Sequence, residues 1–148
     1  LHFDSPREAI LSLIYEQVAG VNAIGPRMQA QSLQAQLKHQ GGFVIESERY
    51  FHLYLRQLVE QGLQAGEIHP SYGTEEVVRM ILQISRGIIF DWSIRGGPYS
   101  AEEQAMETLG LFLRALGEPK PAEERKARSS LMMERGRAGT ERQLPKEP

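Results

Sequence analysis

Residues 74–95 read TEEVVRMILQISRGIIFDWSIR, and the breadth of apolar surface in this stretch decides the fold. Thr74 with Glu75 and Glu76 is a helix start: a capping hydroxyl, then two carboxylates where the positive end of the helix dipole favours them. Val77, Val78, Met80, Ile81, Leu82, Ile84, Ile88, Ile89 and Trp92 follow at helical spacing. They spread over roughly 200° of the helix, about twice the ~100° stripe that a surface helix needs. A helix this apolar needs protein on two sides.

Working outward, Arg95-Gly96-Gly97-Pro98-Tyr99 is a turn, and Ser100-Ala101-Glu102-Glu103 is a capping box that opens a second helix reaching about Leu116. Ala105, Met106, Leu109, Phe112, Leu113 and Leu116 cover a similarly broad arc, with Leu111 outside it. So short a link makes the two helices antiparallel neighbours. Gly87 and Gly110 leave room for a neighbouring helix to come close. The spacing predicts dimerisation with the two-fold symmetry usual for such assemblies; the alternative is that both helices are central within one monomer.

Upstream, residues 46–65 form a third amphipathic helix through Tyr50, Phe51, Tyr54, Leu55, Leu58, Val59 and Leu63. Gly66 ends it, followed by Ile68 and Pro70. The first helix opens on Ser5-Pro6-Arg7-Glu8, a cap with proline at the first helical position. Its apolar positions are Ile10, Leu13, Ile14, Val18 and Val21, and Gly20 is its expected stop. A glutamine-rich helix over 26–39 has only Met28, Leu33 and Leu37 as apolar positions, and Gly41-Gly42 ends it. The chain thus reads as all-α, with a helical domain over 1–116. Residues 117–148, charged and punctuated by proline and glycine, read as a solvated, disordered tail with a short helix open over 123–135.

Composition bounds the function. A chain of 148 residues with 41% apolar content makes one domain. No run approaches the roughly 18 apolar residues of a membrane helix. There are no cysteines, which excludes disulfides and thiolate metal sites and fits a cytoplasmic location. The chain opens Leu1-His2-Phe3-Asp4, without an initiator Met, a basic flank or a cleavage pattern, and reads as beginning inside a longer protein. Net charge is −2, split between nine Lys/Arg against thirteen Asp/Glu over 1–116 and eight against six beyond. Phosphate contacts dominate DNA affinity, so an acidic body argues against unaided DNA binding.

Several short motifs then fall in a familiar order. Arg56 to Gly66, followed by Glu67-Ile68, carries a Gly-x-x-x-Gly-Glu-Ile pattern before Thr74-Glu75-Glu76-Val77-Val78. Ser85-Arg86-Gly87-Ile88-Ile89-Phe90-Asp91-Trp92 and Leu109-Gly110-Leu111-Phe112-Leu113-Arg114-Ala115-Leu116 come next. Together they resemble the C-terminal domain of TetR/AcrR-type transcriptional repressors, over about 5–116 and most closely over 52–116. The resemblance implies a five-helix domain whose last two helices form an intersubunit four-helix bundle. It also implies a cavity for a small-molecule effector among the earlier helices, and coupling to an upstream helix-turn-helix part that this chain lacks, so that DNA is reached only through that part. The expected interface residues are Ile81, Ile88, Leu109, Phe112, Leu113 and Leu116.

Catalysis and metal chemistry find little support. His2, His39, His52 and Asp91 share no helical ligand spacing, and His69 sits in a turn. The paired carboxylates lie in first turns, where capping accounts for them, and there is no nucleophile elbow or phosphate-binding loop. No enzyme activity, metal or cofactor is expected. The better candidates line a pocket: Gln17 in the apolar arc of the first helix, Met28 on the second, Tyr50, Phe51 and Tyr54 on the third, and Asp91 and Trp92 on the fourth. Apolar walls with a few polar anchors suit a small ligand, and an acidic anchor among aromatics leans toward a cation. The bland alternative is that the aromatics are core and the polar groups are satisfied internally. A helical protein–protein interaction module without a ligand is the rival function.

Overall fold

The computed structural model describes residues 3–39, 49–122, 129–135 and 137. Its main elements are α1 (Pro6–Ile24), α2 (Pro26–Lys38), α3 (Arg49–Gln64), α4 (Thr74–Ile94) and α5 (Ala101–Ala115). The fold is all-α, with no strand among the described residues. No helix among them is long and apolar enough to cross a membrane.

Most boundaries have a local cause. Ser5 Oγ accepts from the Glu8 amide at 3.2 Å and Pro6 follows the cap. α1 does not stop at Gly20. It runs on through that exposed glycine to Ile24, because Val18 and Val21 both still pack on the core. That packing outweighs the roughly 1 kcal/mol a mid-helix glycine costs. The break comes at Gly25, with φ +90°, before Pro26, whose ring disfavours helical backbone in its predecessor. α3 ends at Gly66, with φ +76°, and the Glu67 and Ile68 amides return to the Gly62 carbonyl at 3.0 and 3.1 Å. The start expected at 46 and the Gly41-Gly42 stop lie outside the described residues. α4 is capped by Gly73 rather than Thr74, which is already helical. The Glu76 carboxylate instead accepts from the Gly73 amide at 3.4 Å. Ser100 Oγ accepts from the Glu103 amide at 3.1 Å, which starts α5 as the sequence predicts.

Helices α1 and α4 form the centre: each packs against every other helix, while α2, α3 and α5 touch these two and not one another. The core follows. Ile10, Ile14 and Val18 of α1 meet Leu55 and Val59 of α3, Val77, Val78 and Ile81 of α4, and Ala105, Leu109 and Leu113 of α5 in one buried cluster. Ser85 and Ser93 are buried on α4 and return their hydroxyls to the Ile81 and Ile89 carbonyls at 2.8 and 2.6 Å, so neither burial leaves an unmet polar group. α2 alone buries no residue.

Residues 117–120, assigned to the tail on composition, lie against the helical body: the Lys120 amide donates to Ser71 Oγ at 2.9 Å and its ammonium pairs with Glu76. Residues 129–135 are helical, with Leu131, Met132 and Met133 exposed.

Candidate functional site

Two surfaces merit inspection: the outer face of α4 and α5, and the surroundings of the expected pocket residues. On the first, the structure corrects the sequence reading. Ile81, Leu109, Leu113 and Leu116 are at most 2% exposed within a single chain, so they have no surface left to give a partner. The other helices account for this: α1 packs extensively on α5, and α2, α3 and α5 all pack on α4. Ile88 and Phe112 remain half-buried, beside half-buried Ile84 and exposed Ile94 and Leu111. On α4, Ile84, Gly87 and Ile88 are spaced i, i+3 and i+4, one stripe of the helix surface. Nothing lies within 4 Å of a Cβ added at Gly87 or at Gly110. Both glycines face open space.

Of the seven expected pocket residues, Asp91 and Trp92 come together, around Tyr99. The Trp92 indole is buried and its Nε1 donates to the Tyr99 carbonyl at 3.0 Å. The Tyr99 hydroxyl donates to Asp91 Oδ2 at 2.9 Å, and Arg95 Nε donates to Oδ1 at 2.9 Å. Arg95, then Tyr99, hold the Asp91 carboxyl below its usual range, while burial and then Asp91 push the Tyr99 phenol up. Gly97 completes this corner with φ +70°: a Cβ there would lie 3.1 Å from the Trp92 ring and 3.2 Å from Pro26 at the start of α2. Asp91 is therefore neutralised by a neighbouring cation, and its charge gives no lean toward a cationic ligand. Tyr99 and Arg95 were not singled out in the sequence; the i, i+4 spacing of Asp91 and Arg95 was the available signal.

The other candidates are dispersed. Tyr50 is 83% exposed and Tyr54 47% exposed, at the edge of the α3 face that buries Leu55, Leu58 and Val59, while Phe51 packs partly on the core. Met28 is 58% exposed on α2. Gln17 is different. Its Oε1 is shut off from solvent and has no hydrogen-bond partner. A buried acceptor left unpaired costs about 1–3 kcal/mol, so this amide, without a partner among the described residues, takes its hydrogen bond from a water or from a ligand's donor.

A separate crevice opens between the start of α1, the end of α3 and α5, lined by Arg7, Ile10, Gly62, Glu67, Ile68 and Leu113. It is too narrow to admit even a water molecule, and so is no small-molecule site of the ~300–1,000 Å³ kind. Among the described residues no group of three or more His, Cys, Asp or Glu is placed to hold a metal ion. Arg56 links Glu60 at 3.3 Å and Glu75 at 2.9 Å across α3 and α4, an exposed network worth about 0–1 kcal/mol per pair.

Comparison with family models, with curated proteins and with solved structures returns no match for this chain.

Proposed function

We propose that this chain is the effector-sensing and dimerisation domain of a TetR-like transcriptional regulator, a cytoplasmic repressor by resemblance. Its DNA contacts belong to a helix-turn-helix part ahead of α1. It performs no catalysis and uses no cofactor. The observation that carries the proposal is the apolar stripe of Ile84, Gly87 and Ile88 that α4 retains after the monomer has filled its own core, with Gly87 there and Gly110 on the neighbouring α5 both open to close approach. A second copy is the occupant that such a stripe on the last two helices suits: the same surface serves both partners, and two helices from each chain close a four-helix bundle. The effector's identity stays at the level of a small molecule able to donate a hydrogen bond to Gln17 Oε1.

The experiment pairs two measurements on the full chain. Sedimentation at micromolar concentration yields a dimer, and a thermal-shift screen of neutral, cationic and carboxylate compounds yields a stabilising class, since a ligand that binds only the folded state raises the melting temperature. A monomer with no stabilising class sinks the proposal.

A second reading is favoured by one observation. Tyr50, Leu53 and Tyr54 stand exposed on α3, and α2 does not touch α3, so this aromatic face is presented outward rather than closed into a chamber. A helical interaction module without a ligand accounts for that face. It predicts no hit in the thermal-shift screen.

A further inference from the structure

The first turn of α1 has an acceptor for each of its amides, and one acceptor comes from a distant part of the chain. Pro6 has no N–H, the Glu8 amide donates to Ser5 Oγ at 3.2 Å, and the Ala9 amide donates to the Ser5 carbonyl at 3.1 Å. The Arg7 amide, for which an α-helix supplies no partner, donates to Oε2 of Glu67 at 2.8 Å. Glu67 lies 60 positions away, directly after the Gly66 turn that ends α3. Its carboxylate also meets the positive end of the α1 dipole. Gly62 allows the approach: a Cβ there would stand 3.0 Å from Ile68 Cδ1 and 3.8 Å from Pro6 Cβ.

The loop that presents Glu67 is held in turn by the segment leaving α5. The His69 amide donates to the Leu116 carbonyl at 2.7 Å, and the Lys120 amide donates to Ser71 Oγ at 2.9 Å. The Lys120 ammonium pairs with the Glu76 carboxylate at the start of α4 and sits 5.5 Å from the centre of the Tyr72 ring. Both members of that ion pair are about three-quarters buried, which shields the attraction from solvent more than at an open surface. Lys120 draws the Glu76 carboxyl below its usual range, the direction expected of a contact made to the charged form.

We propose that residues 116–120 act as a strap whose seating at Lys120 governs the grip of Glu67 on the first turn of α1. The start of α1 and the segment leaving α5 then loosen together although they share no hydrogen bond. The strap is a conformational device of the folded chain, and it holds independently of any effector or operator. Within the regulator reading it gives the tail a route to whatever is joined ahead of α1.

Amide hydrogen exchange by NMR on the 148-residue chain tests it, because the Arg7 amide reports directly on Glu67. Glu67→Ala is expected to speed Arg7 exchange about tenfold while the Ile14 and Leu109 amides stay within about twofold, and Glu67→Gln, which keeps an acceptor, retains most of the protection. Lys120→Ala, which removes the contacts to Glu76 and Tyr72, is expected to speed Arg7 exchange about threefold, and Ser71→Ala, which removes another of the strap's anchors without changing charge, acts in the same direction. An Arg7 amide unmoved by both strap variants while residues 69–73 loosen overturns the proposal. So does a uniform rise across α1, α4 and α5, which would mark Lys120 as a general contributor to stability.

Discussion

The Tyr99 phenol and the Asp91 carboxylate, eight residues apart and 2.9 Å from each other, close the end of the α4–α5 hairpin. Arg95 first and Tyr99 second hold the Asp91 carboxyl low, so these contacts to the carboxylate stabilise the fold above about pH 3.9 and are lost as pH falls through the lower folded value. Burial first and the bond to Asp91 second raise the Tyr99 pKa, so what its neutral phenol contributes is intact below about pH 10 and is lost as pH rises through the higher folded value. Tyr99→Phe is therefore expected to lower the melting temperature by about 2–5 °C. That deficit stays constant across roughly pH 5–9 and shrinks at either extreme. Melting curves from acid to alkaline pH check this, and a deficit that changes between pH 6 and 8 would count against the assignment.

Neighbouring glycines in the same turn separate backbone strain from crowding. Gly96 and Gly97 both have positive φ, +77° and +70°. A Cβ at Gly96 meets nothing within 4 Å, whereas one at Gly97 runs into the Trp92 ring and Pro26. Gly96→Ala should cost about 1 kcal/mol of strain, and Gly97→Ala about 2–4 kcal/mol once overpacking is added. Urea midpoints give both numbers, and equal costs would show that the Trp92–Gly97–Pro26 corner is looser than its distances imply.

The contrast between these corners and the helices marks what the sequence made legible. Ser5, Ser100 and Gly66 act locally, and each cap or stop reads directly off its neighbours. Gly20 misleads because tertiary packing of Val18 and Val21 overrides a local breaker. The breadth of apolar surface on α4 and α5 was legible, but not which part of it the other helices would take; that depends on how α1 packs on α5 and how α2 and α3 pack on α4. Asp91 reads as a pocket anchor on the helical wheel until Tyr99 and Arg95 come back from the turn to claim both oxygens. Glu67 and Lys120 were out of reach, since their partners Arg7 and Glu76 lie 60 and 44 positions away.

Variants on the open stripe and in the core should part company. Ile94 is 60% exposed seven residues beyond Gly87 on the same face of α4, and Gly87 faces open space, so Ile94→Asp and Gly87→Leu are expected to leave a folded, helical monomer. Gly87→Leu gains up to about 1 kcal/mol of helix propensity within that monomer. Both variants are expected to abolish the sedimenting dimer, one by placing a charge in an apolar contact and the other by blocking close approach. Leu109→Ala, at a fully buried site, should instead cost about 2–5 kcal/mol of unfolding free energy. Dimers that persist in both stripe variants would move the interface elsewhere.

Gln17 offers the sharpest test of the effector reading, because stability and binding pull in opposite directions there. Its Oε1 is buried and unpaired, so replacing the amide with an apolar group of similar length removes an unmet acceptor. Gln17→Leu is expected to stabilise the ligand-free protein by about 1–3 kcal/mol, the desolvation penalty of one such group. If Gln17 is retained as the anchor for a ligand donor, the same variant loses the melting-temperature increase given by whichever compound class stabilises the wild type. That loss follows because the ligand's donor would then be buried without an acceptor. Gln17→Glu, which keeps an acceptor oxygen at the same reach, should retain a shift for compounds with a hydrogen-bond donor and favour those carrying positive charge. Parallel thermal-shift titrations of the three proteins read all of this. A Gln17→Leu protein that is stabilised and still responds fully to the wild-type compound would remove Gln17 from the effector site and leave its buried oxygen as a structural feature alone.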